Sequence, residues 1–234
     1  MTTFVAMDDT DMKGTRGTGK LARSVARAIG EHYPIERVTR HQLFVHEAIP
    51  FTSHNSCAVI HVGTDDPAAG RDLFRMSEEM MLDDFIEGSD PGLAVALESR
   101  ITPAAVAFGC DAKHKVITQD RARLLAKNSG ILLKGLGGTE DGVIGCMAGV
   151  GLSSTMNDGR IVMKGNIRDL KGPQEASMIL ESGVDQIWTT DGRSVSEGMV
   201  FTKEGKSVKS NLIGGNAVLF VQECEGGYSP VKRN

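Results

Sequence analysis

The chain has 234 residues, of which 40% are hydrophobic, and its 26 basic and 30 acidic residues give a net charge of −4. No stretch is apolar over the length of a membrane span, and the first residues form neither the basic nor the apolar part of a secretory signal, so a cytoplasmic protein without a membrane partner is predicted. The charge also argues against nucleic-acid binding by phosphate neutralisation, which usually requires a basic face. A small-molecule substrate is therefore favoured.

The four cysteines, Cys57, Cys110, Cys146 and Cys224, are far apart and form no CxxC pair. This spacing argues against a zinc ribbon and against a disulfide framework. We expect free thiols that are mostly buried.

An acidic motif follows the first predicted strand. Residues 3–7 predict a buried strand, and Asp8-Asp9-Thr10-Asp11 follows at once. Three carboxylates within four residues repel one another, and a hard cation such as Mg²⁺, which takes oxygen ligands and commonly accompanies nucleotide phosphates, would relieve this repulsion. The motif therefore indicates a metal site beside a nucleotide, although acidic loops after strands also cap helices and form turns.

A glycine-rich loop continues from the acidic motif into a predicted helix at residues 18–32. Gly14, Gly17 and Gly19 allow the backbone amides to turn toward an anion, and the helix N-terminus behind them favours a phosphate. The sequence Gly17-Thr18-Gly19-Lys20 alone lacks the first glycine spacing of a Walker A loop. The pattern predicts an ATP-binding turn in which Lys20 neutralises developing charge.

Hydrophobic periodicity predicts the next elements in chain order. They are strands at 41–45 and 57–62, a helix at 66–86, a strand at 93–97, extended segments at 106–109 and 115–117, and a helix at 119–128. The connection at 47–56 is too long and polar for a tight hairpin, which makes it a candidate functional loop. His41 before this connection and His54 within it are candidate acid–base helpers, although a lone histidine is more often a structural hydrogen-bonding group.

A second glycine-rich loop follows a predicted strand at 131–134 and precedes an apolar helix. Gly137, Gly138 and Thr139 have the composition of a ligand-binding turn, but Glu140 and Asp141 would repel a phosphate unless a cation intervened. An amine or a metal ion is the better-matched ligand. The alternative is that Thr139 is a helix N-cap, that the acids favour the helix dipole, and that the glycines only let two backbones approach.

The last third of the chain consists of shorter segments punctuated by turns, and we expect a small α/β or β-rich module at 158–234. Residues 1–157 then form the catalytic region, in which two sub-domains remain open. The predicted fold class is α+β, with a mixed sheet and helices.

Three motifs together resemble the archaeal agmatidine synthetases, which modify a cytidine in an isoleucine tRNA anticodon. They are the acidic motif with its glycine loop, the loop Pro50-Phe51-Thr52-Ser53-His54-Asn55-Ser56, and the second glycine loop running into Gly142-Val143-Ile144-Gly145, in the same order over residues 3–152. The resemblance implies a kinase-like domain that binds ATP and Mg²⁺ at the first motif and a ferredoxin-like domain at the second glycine loop, close to an agmatine site.

The resemblance also implies roles for individual residues. Asp8, Asp9 and Asp11 would hold Mg²⁺, and Thr18 would lie near the threonine that receives a phosphoryl group. The side chains of Thr52, Ser53 and Asn55 would lie near the nucleotide, which Thr10, Gly17 and Gly19 would help to bind.

The chain departs from that family in two ways. Gly138-Thr139-Glu140-Asp141-Gly142 stands where the family has a loop of the type Gly-Asn-Gly-Arg-Gly, so a cation is replaced by two acids. The chain also lacks the paired cysteines of the zinc ribbon and the length for an added OB domain, both of which grip tRNA in the family. Binding of tRNA is therefore the less favoured prediction.

The sequence favours an ATP- and Mg²⁺-dependent kinase or ligase that activates an oxygen by phosphoryl transfer for attack by an amine. Glu140 and Asp141, with His54, would bind this small-molecule substrate. Two alternatives stay open: a tRNA-modifying enzyme that recruits a separate RNA-binding partner, and a nucleotide sensor without turnover. A homodimer is left open as an oligomeric state.

Overall fold

The computed structural model describes residues 1–52, 54–202 and 207–232. The chain divides into two compact units, Met1–Thr155 and Met156–Asn234, whereas the sequence placed the boundary after residue 157. Within the described ranges, no helix combines the length and the apolar character needed to cross a membrane.

The first unit alternates strands and helices before it ends in a group of helices. Its elements are β1 (Thr3–Asp8), α1 (Thr18–Ile29), β2 (Ile35–Gln42), β3 (Ser56–Val62), α2 (Pro67–Asp83), β4 (Gly92–Leu97), α3 (Pro103–Ala112), α4 (Gln119–Ser129), β5 (Leu132–Gly135) and α5 (Gly142–Ser154). The helix α1 follows the periodicity seen in the sequence, because Leu21, Val25 and Ile29 form its buried face.

The five strands of the first unit form an antiparallel sheet in the order β5-β4-β1-β3-β2. The run from β1 to β4, with its two helices, is a βαββαβ arrangement of the ferredoxin-like kind. The predicted α+β class is thus confirmed. The resemblance implied a kinase-like domain at the acidic motif and a separate ferredoxin-like domain at the second glycine loop. In the structure, the acidic motif itself lies in the ferredoxin-like arrangement, and β5 extends the same sheet. One sheet therefore carries both glycine loops.

The register of the sheet brings the two glycine loops to one edge. Asp8 at the end of β1 lies opposite Gly92 at the start of β4, and Gly92 lies opposite Gly135 at the end of β5. Because β1 and β5 both pair antiparallel with β4, they run in the same direction and end at the same edge. Segments far apart in the sequence therefore meet there.

Helices cover both faces of this sheet. The helices α1 and α2 pack on one face, and α5 packs on the other, where α3 and α4 lie against it. Glycines let α5 approach closely: a Cβ at residue 149 would lie 2.8 Å from Cys57 Sγ, and one at residue 151 would lie 2.0 Å from the Ala105 carbonyl oxygen. The core of the first unit is therefore held together by close backbone packing along α5.

Three local expectations are wrong. The strand expected at 41–45 lies instead at Ile35–Gln42, as β2. The segment 106–109, expected to be extended, lies inside α3, whose N-cap Thr102 accepts a hydrogen bond from the Ala105 amide and whose first turn begins with Pro103. The buried residues Ala105, Phe108, Gly109 and Ala112 lie at helical spacing, but the exposed face of α3 also carries small apolar residues, so the sequence shows no amphipathic pattern. The thiols are free as predicted, but only Cys57 and Cys146 are buried, whereas Cys110 and Cys224 are exposed.

The second unit is rich in short strands. Its elements are β6 (Arg160–Met163), β7 (Gln174–Glu175), α6 (Ala176–Glu181), β8 (Gln186–Thr189), β9 (Met199–Val200), β10 (Asn211–Ile213), β11 (Asn216–Cys224) and β12 (Gly227–Pro230). The long strand β11 pairs antiparallel with β10 and β12 and parallel with β8. Its core includes Ile167, Ile179, Ile187 and Leu219.

Candidate active site

A cavity of about 150 Å³ lies in the first unit at the edge of the sheet where β1 ends. Its polar lining includes Asp8, Asp9, Asp11, Thr18 and Asp141. Its apolar lining comes from residues 43–51, from the connection between α3 and α4, and from α5, and it includes Leu43, Ile49, Pro50, Phe51, Val116, Ile117 and Ile144. A cavity with grouped carboxylates and an apolar lining suits a small molecule with a cationic or metal-bound end.

The hydroxyl of Thr18 is bonded to the carboxylate of Asp11. Thr18 is the first residue of α1, and its Oγ1 donates a hydrogen bond to Asp11 Oδ1 at 2.9 Å. The same oxygen accepts from Thr10 Oγ1 at 3.1 Å and from the Thr10 amide at 3.4 Å. Thr52 Oγ1 donates to the other Asp11 oxygen at 3.2 Å. The Thr18 proton is therefore already directed at a carboxylate that can accept it.

The start of α1 offers backbone amides beside this hydroxyl. Gly17 precedes the helix with φ of 78°, a conformation that favours glycine, and no side chain caps the helix. The first turn of α1 carries no acidic residue. A helix N-terminus of this kind is favourable for a phosphate, and Thr18 in that first turn borders the cavity.

The carboxyl group of Asp8 lies against the first turns of α5. A Cβ at residue 145 would lie 1.7 Å from Asp8 Oδ2, so only glycine leaves room for this carboxyl group. Burial raises the pKa of Asp8 to about 7, and the neighbouring charges of Asp9 and Asp11 also raise it. A protonated or cation-bound state of Asp8 is favoured near neutral pH.

Asp9 takes a backbone conformation that is uncommon outside glycine, with φ of 51°. Burial raises the pKa of its carboxyl group to about 6, and the charges of Asp90, Asp11 and Asp141 add to the effect. Acids from three separate segments thus act on one another at this edge of the sheet. A cation placed here would relieve repulsion that the fold itself creates.

The two acids of the second glycine loop, Glu140 and Asp141, make different contacts. Glu140, with φ of 65°, forms an ion pair with Arg123 of α4 and does not line the cavity. Asp141 lines the cavity while its Oδ1 accepts from Gln119 Nε2 at 2.7 Å. The alternative in which Thr139 caps α5 is wrong, because the helix begins at Gly142 directly after Asp141 and the Thr139 amide bonds to the Asp90 carboxylate.

The loop between β2 and β3 closes over the cavity and is fixed at its base. The Asn55 side chain donates from Nδ2 to the Phe44 carbonyl at 2.6 Å, and the Leu43 amide donates to the Asn55 carbonyl at 2.9 Å. Thr52, His54 and Asn55 all line the cavity. The amide of Asn55 is thus used to hold the loop. Ser53, which the sequence also placed here, lies outside the described residues.

The structure brings together about half of the residues singled out from the sequence. Those that line the cavity are Asp8, Asp9, Asp11, Thr18, Thr52, His54, Asn55 and Asp141. Those that do not line it are Thr10, Gly17, Gly19, Lys20, Gly137, Gly138, Thr139 and Glu140. Lys20 is exposed on α1, because it follows the buried Thr18 by two positions and therefore lies on another side of the helix.

His41 does not belong to the cavity. It is fully buried on β2, and its Nε2 lies 2.8 Å from Thr39 Oγ1 and 2.8 Å from Ser153 Oγ. Its neighbour His61 is also buried, and burial, with the charges of His41 and Arg37, holds the pKa of His61 well below its usual range. The expectation that His41 helps in acid–base chemistry is therefore wrong, since its partners belong to the core.

Two residues were not singled out by any motif in the sequence: Lys115, which lines the cavity, and Arg16, which lies beside it. Lys115 lines the cavity from the connection between α3 and α4 and pairs with Asp111 at 2.9 Å. Arg16 lies in the loop before α1 and donates from Nη1 to the Thr10 carbonyl at 3.0 Å. Both positions depend on how distant helices pack. The glycine loop around residue 16 is the one signal in the sequence that draws attention to Arg16.

No preformed three-ligand metal site is present among the described residues. Asp11 already accepts hydrogen bonds from two threonine hydroxyls, one on each carboxylate oxygen. Mg²⁺ in nucleotide sites, however, commonly takes one or two carboxylates together with phosphate oxygens and waters. Asp8 and Asp9, whose pKa values are both raised, fit that smaller donor set.

Comparison with solved structures places this fold beside a group of tRNA-modifying enzymes. The chain is similar to apo TiaS, an agmatidine synthetase that acts on an isoleucine tRNA, with a TM-score of 0.53 and 22% identity over 64% of this chain and 35% of that one. It is similar to TiaS in complex with the isoleucine tRNA and ATP, with a TM-score of 0.55 and 22% identity over 64% of this chain and 36% of that one.

A third similar structure is a tRNA fluorescent labeling enzyme, with a TM-score of 0.55 and 21% identity over 64% of this chain and 36% of that one. The chain thus spans little more than a third of the length of these structures. No family model and no curated protein matches the chain. The partial resemblance to agmatidine synthetase is confirmed at the level of the fold.

Proposed function

We propose that the chain is an ATP-dependent enzyme that transfers a phosphoryl group to an oxygen and thereby prepares attack by an amine. The observation that carries the proposal is the hydrogen bond from Thr18 Oγ1 to Asp11 Oδ1. In protein kinases an aspartate accepts the proton of the hydroxyl that receives the phosphoryl group. The same pair of groups stands here at the N-terminus of a helix and on the wall of a cavity.

Thr18 is the acceptor in this proposal. As its oxygen bonds to the γ-phosphorus, the proton passes to Asp11, and ADP leaves with the electrons of the broken P–O bond. The amides of Thr18 and Gly19 stabilise the phosphate oxygens, because no side chain caps them, whereas the Lys20 amide already donates to the Gly17 carbonyl at 2.9 Å. The phosphoryl group can then pass from Thr18 to an oxygen of the second substrate.

Asp8 and Asp9 would hold Mg²⁺, which supplies charge neutralisation on the ATP phosphates when it is bound. Both side chains line the cavity, as Thr18 does. Their raised pKa values mean that a cation must compete with protons below about pH 7. The binding of Mg²⁺ is therefore expected to weaken on acidification.

An amine is the better-matched second substrate, because the cavity lining combines the carboxylate of Asp141 with a set of apolar side chains. A primary ammonium group attached to an alkyl chain has the corresponding charge and apolar parts. Glu140 is not part of this proposal, since it is paired with Arg123. His54 remains a substrate-binding candidate from the position of its side chain on the cavity wall.

A second candidate function is modification of tRNA together with a separate RNA-binding partner. The fold similarity to the structure of TiaS with an isoleucine tRNA and ATP favours it. The charge argues against unaided binding, since residues 1–158 hold 16 of the 26 basic residues but 21 of the 30 acidic ones. A pull-down of the tagged chain from a cell extract, probed for tRNA, separates the two candidates, because the small-molecule enzyme recovers no tRNA above an untagged control.

The first test is phosphoryl transfer by the purified chain. With ATP labelled in the γ-phosphate and Mg²⁺, we expect label on Thr18, located by mass spectrometry, and release of ADP. Thr18→Ala and Asp11→Asn should abolish labelling, whereas Thr190→Val, which alters an exposed threonine of the second unit, should not. Binding of ATP without ADP release would instead indicate a nucleotide sensor, and absence of any thermal shift with ATP and Mg²⁺ would exclude the nucleotide-binding function.

A further inference from the structure

The oxygen of Thr18 is surrounded by donors as well as by its acceptor. Besides donating to Asp11, it accepts from the hydroxyl and the backbone amide of Thr10. Thr10 is buried, with 3% of its surface exposed, so water does not compete for these bonds. When the Thr18 proton moves to Asp11, the two donors of Thr10 face the oxygen on which negative charge develops.

Arg16 lies behind Thr10. Its Nη1 donates to the Thr10 carbonyl at 3.0 Å and contacts the Thr10 hydroxyl oxygen at 3.4 Å, so that hydroxyl can accept from the guanidinium while it donates to Thr18. The guanidinium is itself held by Asp84 at the end of α2, through an ion pair and through a bond from Nη2 to the Asp84 carbonyl at 2.8 Å. The arginine side chain is 14% exposed.

We propose that Arg16 and Thr10 form a donor relay that fixes the rotamer of Thr18 and stabilises its oxygen during phosphoryl transfer. This inference rests on the function proposed above. In the relay, Thr10 touches the reacting oxygen and Arg16 is a positioning residue that acts through Thr10. The charge of the guanidinium polarises the Thr10 hydroxyl, and the anchor on Asp84 keeps the loop before α1 in place.

The relay predicts a specific kinetic pattern. Neither Thr10 nor Arg16 lines the cavity, so their removal should lower the rate of Thr18 labelling and leave the KM for ATP within about twofold. Thr10→Val, which keeps the shape and removes the hydroxyl, should lower the rate about 100-fold, as loss of one such donor does in other enzymes. Thr10→Ser restores the hydroxyl and should recover the rate to within about threefold of the parent chain.

A matched control distinguishes the effect of losing the relay from a general effect of removing an arginine. Arg75 on α2 also pairs with carboxylates, Asp72 and Glu79, but on the exposed surface of that helix. Arg16→Ala should lower the labelling rate about tenfold or more, whereas Arg75→Ala should leave it within twofold. A raised KM in Arg16→Ala with an unchanged rate would instead make Arg16 a phosphate-binding group and overturn the relay.

A second measurement uses the protein without ATP. Three-bond couplings of the Thr18 methyl group, measured by NMR, report its rotamer; we expect a single rotamer in the parent chain and averaging in Thr10→Val and Arg16→Ala. If the parent chain is not labelled on Thr18, both the proposed function and the relay fail. If the parent chain is labelled but both variants match the Arg75→Ala and Thr190→Val controls in rate and couplings, the relay alone fails.

Discussion

The carboxyl group of Asp8 occupies space that exists only because residue 145 is glycine: a Cβ there would lie 1.7 Å from Asp8 Oδ2. A helix on one face of the sheet thus determines where an acid at the strand end can point. The contact joins the first motif of the sequence to the last element of the first unit, and it suggests a direct test.

Gly145→Ala should displace the Asp8 carboxyl group or push α5 away from the sheet. Overpacking of this kind costs about 1–3 kcal/mol, and we expect a loss of that size in urea denaturation, together with loss of the thermal shift produced by ATP and Mg²⁺. Gly70→Ala in α2, whose Cβ would meet only Leu97 at 3.5 Å, should be neutral or stabilising by roughly 0.5–1 kcal/mol. Equal effects of the two substitutions would contradict the steric argument.

The contribution of Asp8 to the stability of the chain should fall as pH rises from about 4.5 to 7.5 in the absence of divalent cations, whereas the buried His61, whose pKa is lowered, contributes in the opposite direction below pH 6.5. The folded-state pKa of Asp8 is raised from 3.8 to about 7, so the folded state binds more protons than the unfolded state in this window and loses that advantage as pH rises through the folded pKa. Each pKa unit corresponds to about 1.4 kcal/mol, and we expect Asp8 to contribute a fall of about 2 kcal/mol or more.

Asp8→Asn mimics the protonated acid and should flatten this pH dependence while raising stability at pH 7.5. Urea denaturation of the variant and the parent chain at pH 4.5, 6 and 7.5 measures both effects. Glu31→Gln, which changes an exposed acid just after α1, is the matched control and should leave the slope unchanged. A parallel slope in Asp8→Asn and the parent chain would be incompatible with a raised pKa at this position.

Added Mg²⁺ should raise the melting temperature more at pH 7.5 than at pH 5.5. Protons and the cation compete for Asp8 and Asp9, whose pKa values are about 7 and about 6, so the apparent affinity for the metal falls on acidification. The double substitution Asp8→Asn, Asp9→Asn should remove the effect at both pH values. A shift of equal size at the two pH values would point to binding elsewhere.

Asn55→Ala should release the loop that covers the cavity. The Asn55 side chain donates to the Phe44 carbonyl at 2.6 Å, and loss of one such bond costs roughly 0.5–1.5 kcal/mol. We expect faster cleavage within residues 44–54 in limited proteolysis, with protection restored by ATP and Mg²⁺. Asn128→Ala on the exposed side of α4 should leave the cleavage rate unchanged, and a similar acceleration there would argue against a local effect.

The sequence allowed four of the five strands and most helices of the first unit to be predicted, because each carries a local period or a clear end, but the strand expected at 41–45 lies at Ile35–Gln42. Gly130, for example, ends α4 with φ of 65°, as a glycine directly after a periodic stretch predicts. The helix α3 was missed because its exposed face carries small apolar residues as well as its buried face. Local periodicity identifies a helix only where the exposed positions are polar.

Only part of the candidate site was predicted correctly. Asp8, Asp9, Asp11 and Thr18 were identified because acids and glycines after a strand form a local motif. Arg16 was not, since its role depends on the distant Asp84, and Glu140 was assigned to the substrate although Arg123 from α4 takes its charge. Partners that come from other elements of the fold decide such roles.

The cavity at the edge of β1 is completed by residues that follow β4, the strand placed between β1 and β5. A chain that has paired only its first four strands would hold the acidic motif at an open sheet end, because the walls from α3, α5 and their connections come from residues that follow β4. Contacts of such long sequence separation form slowly. Before α5 docks, the acidic motif would be exposed to solvent. Docking brings Asp141 close to Asp9 and adds charge repulsion. A cation in the folding medium is therefore expected to speed that last step.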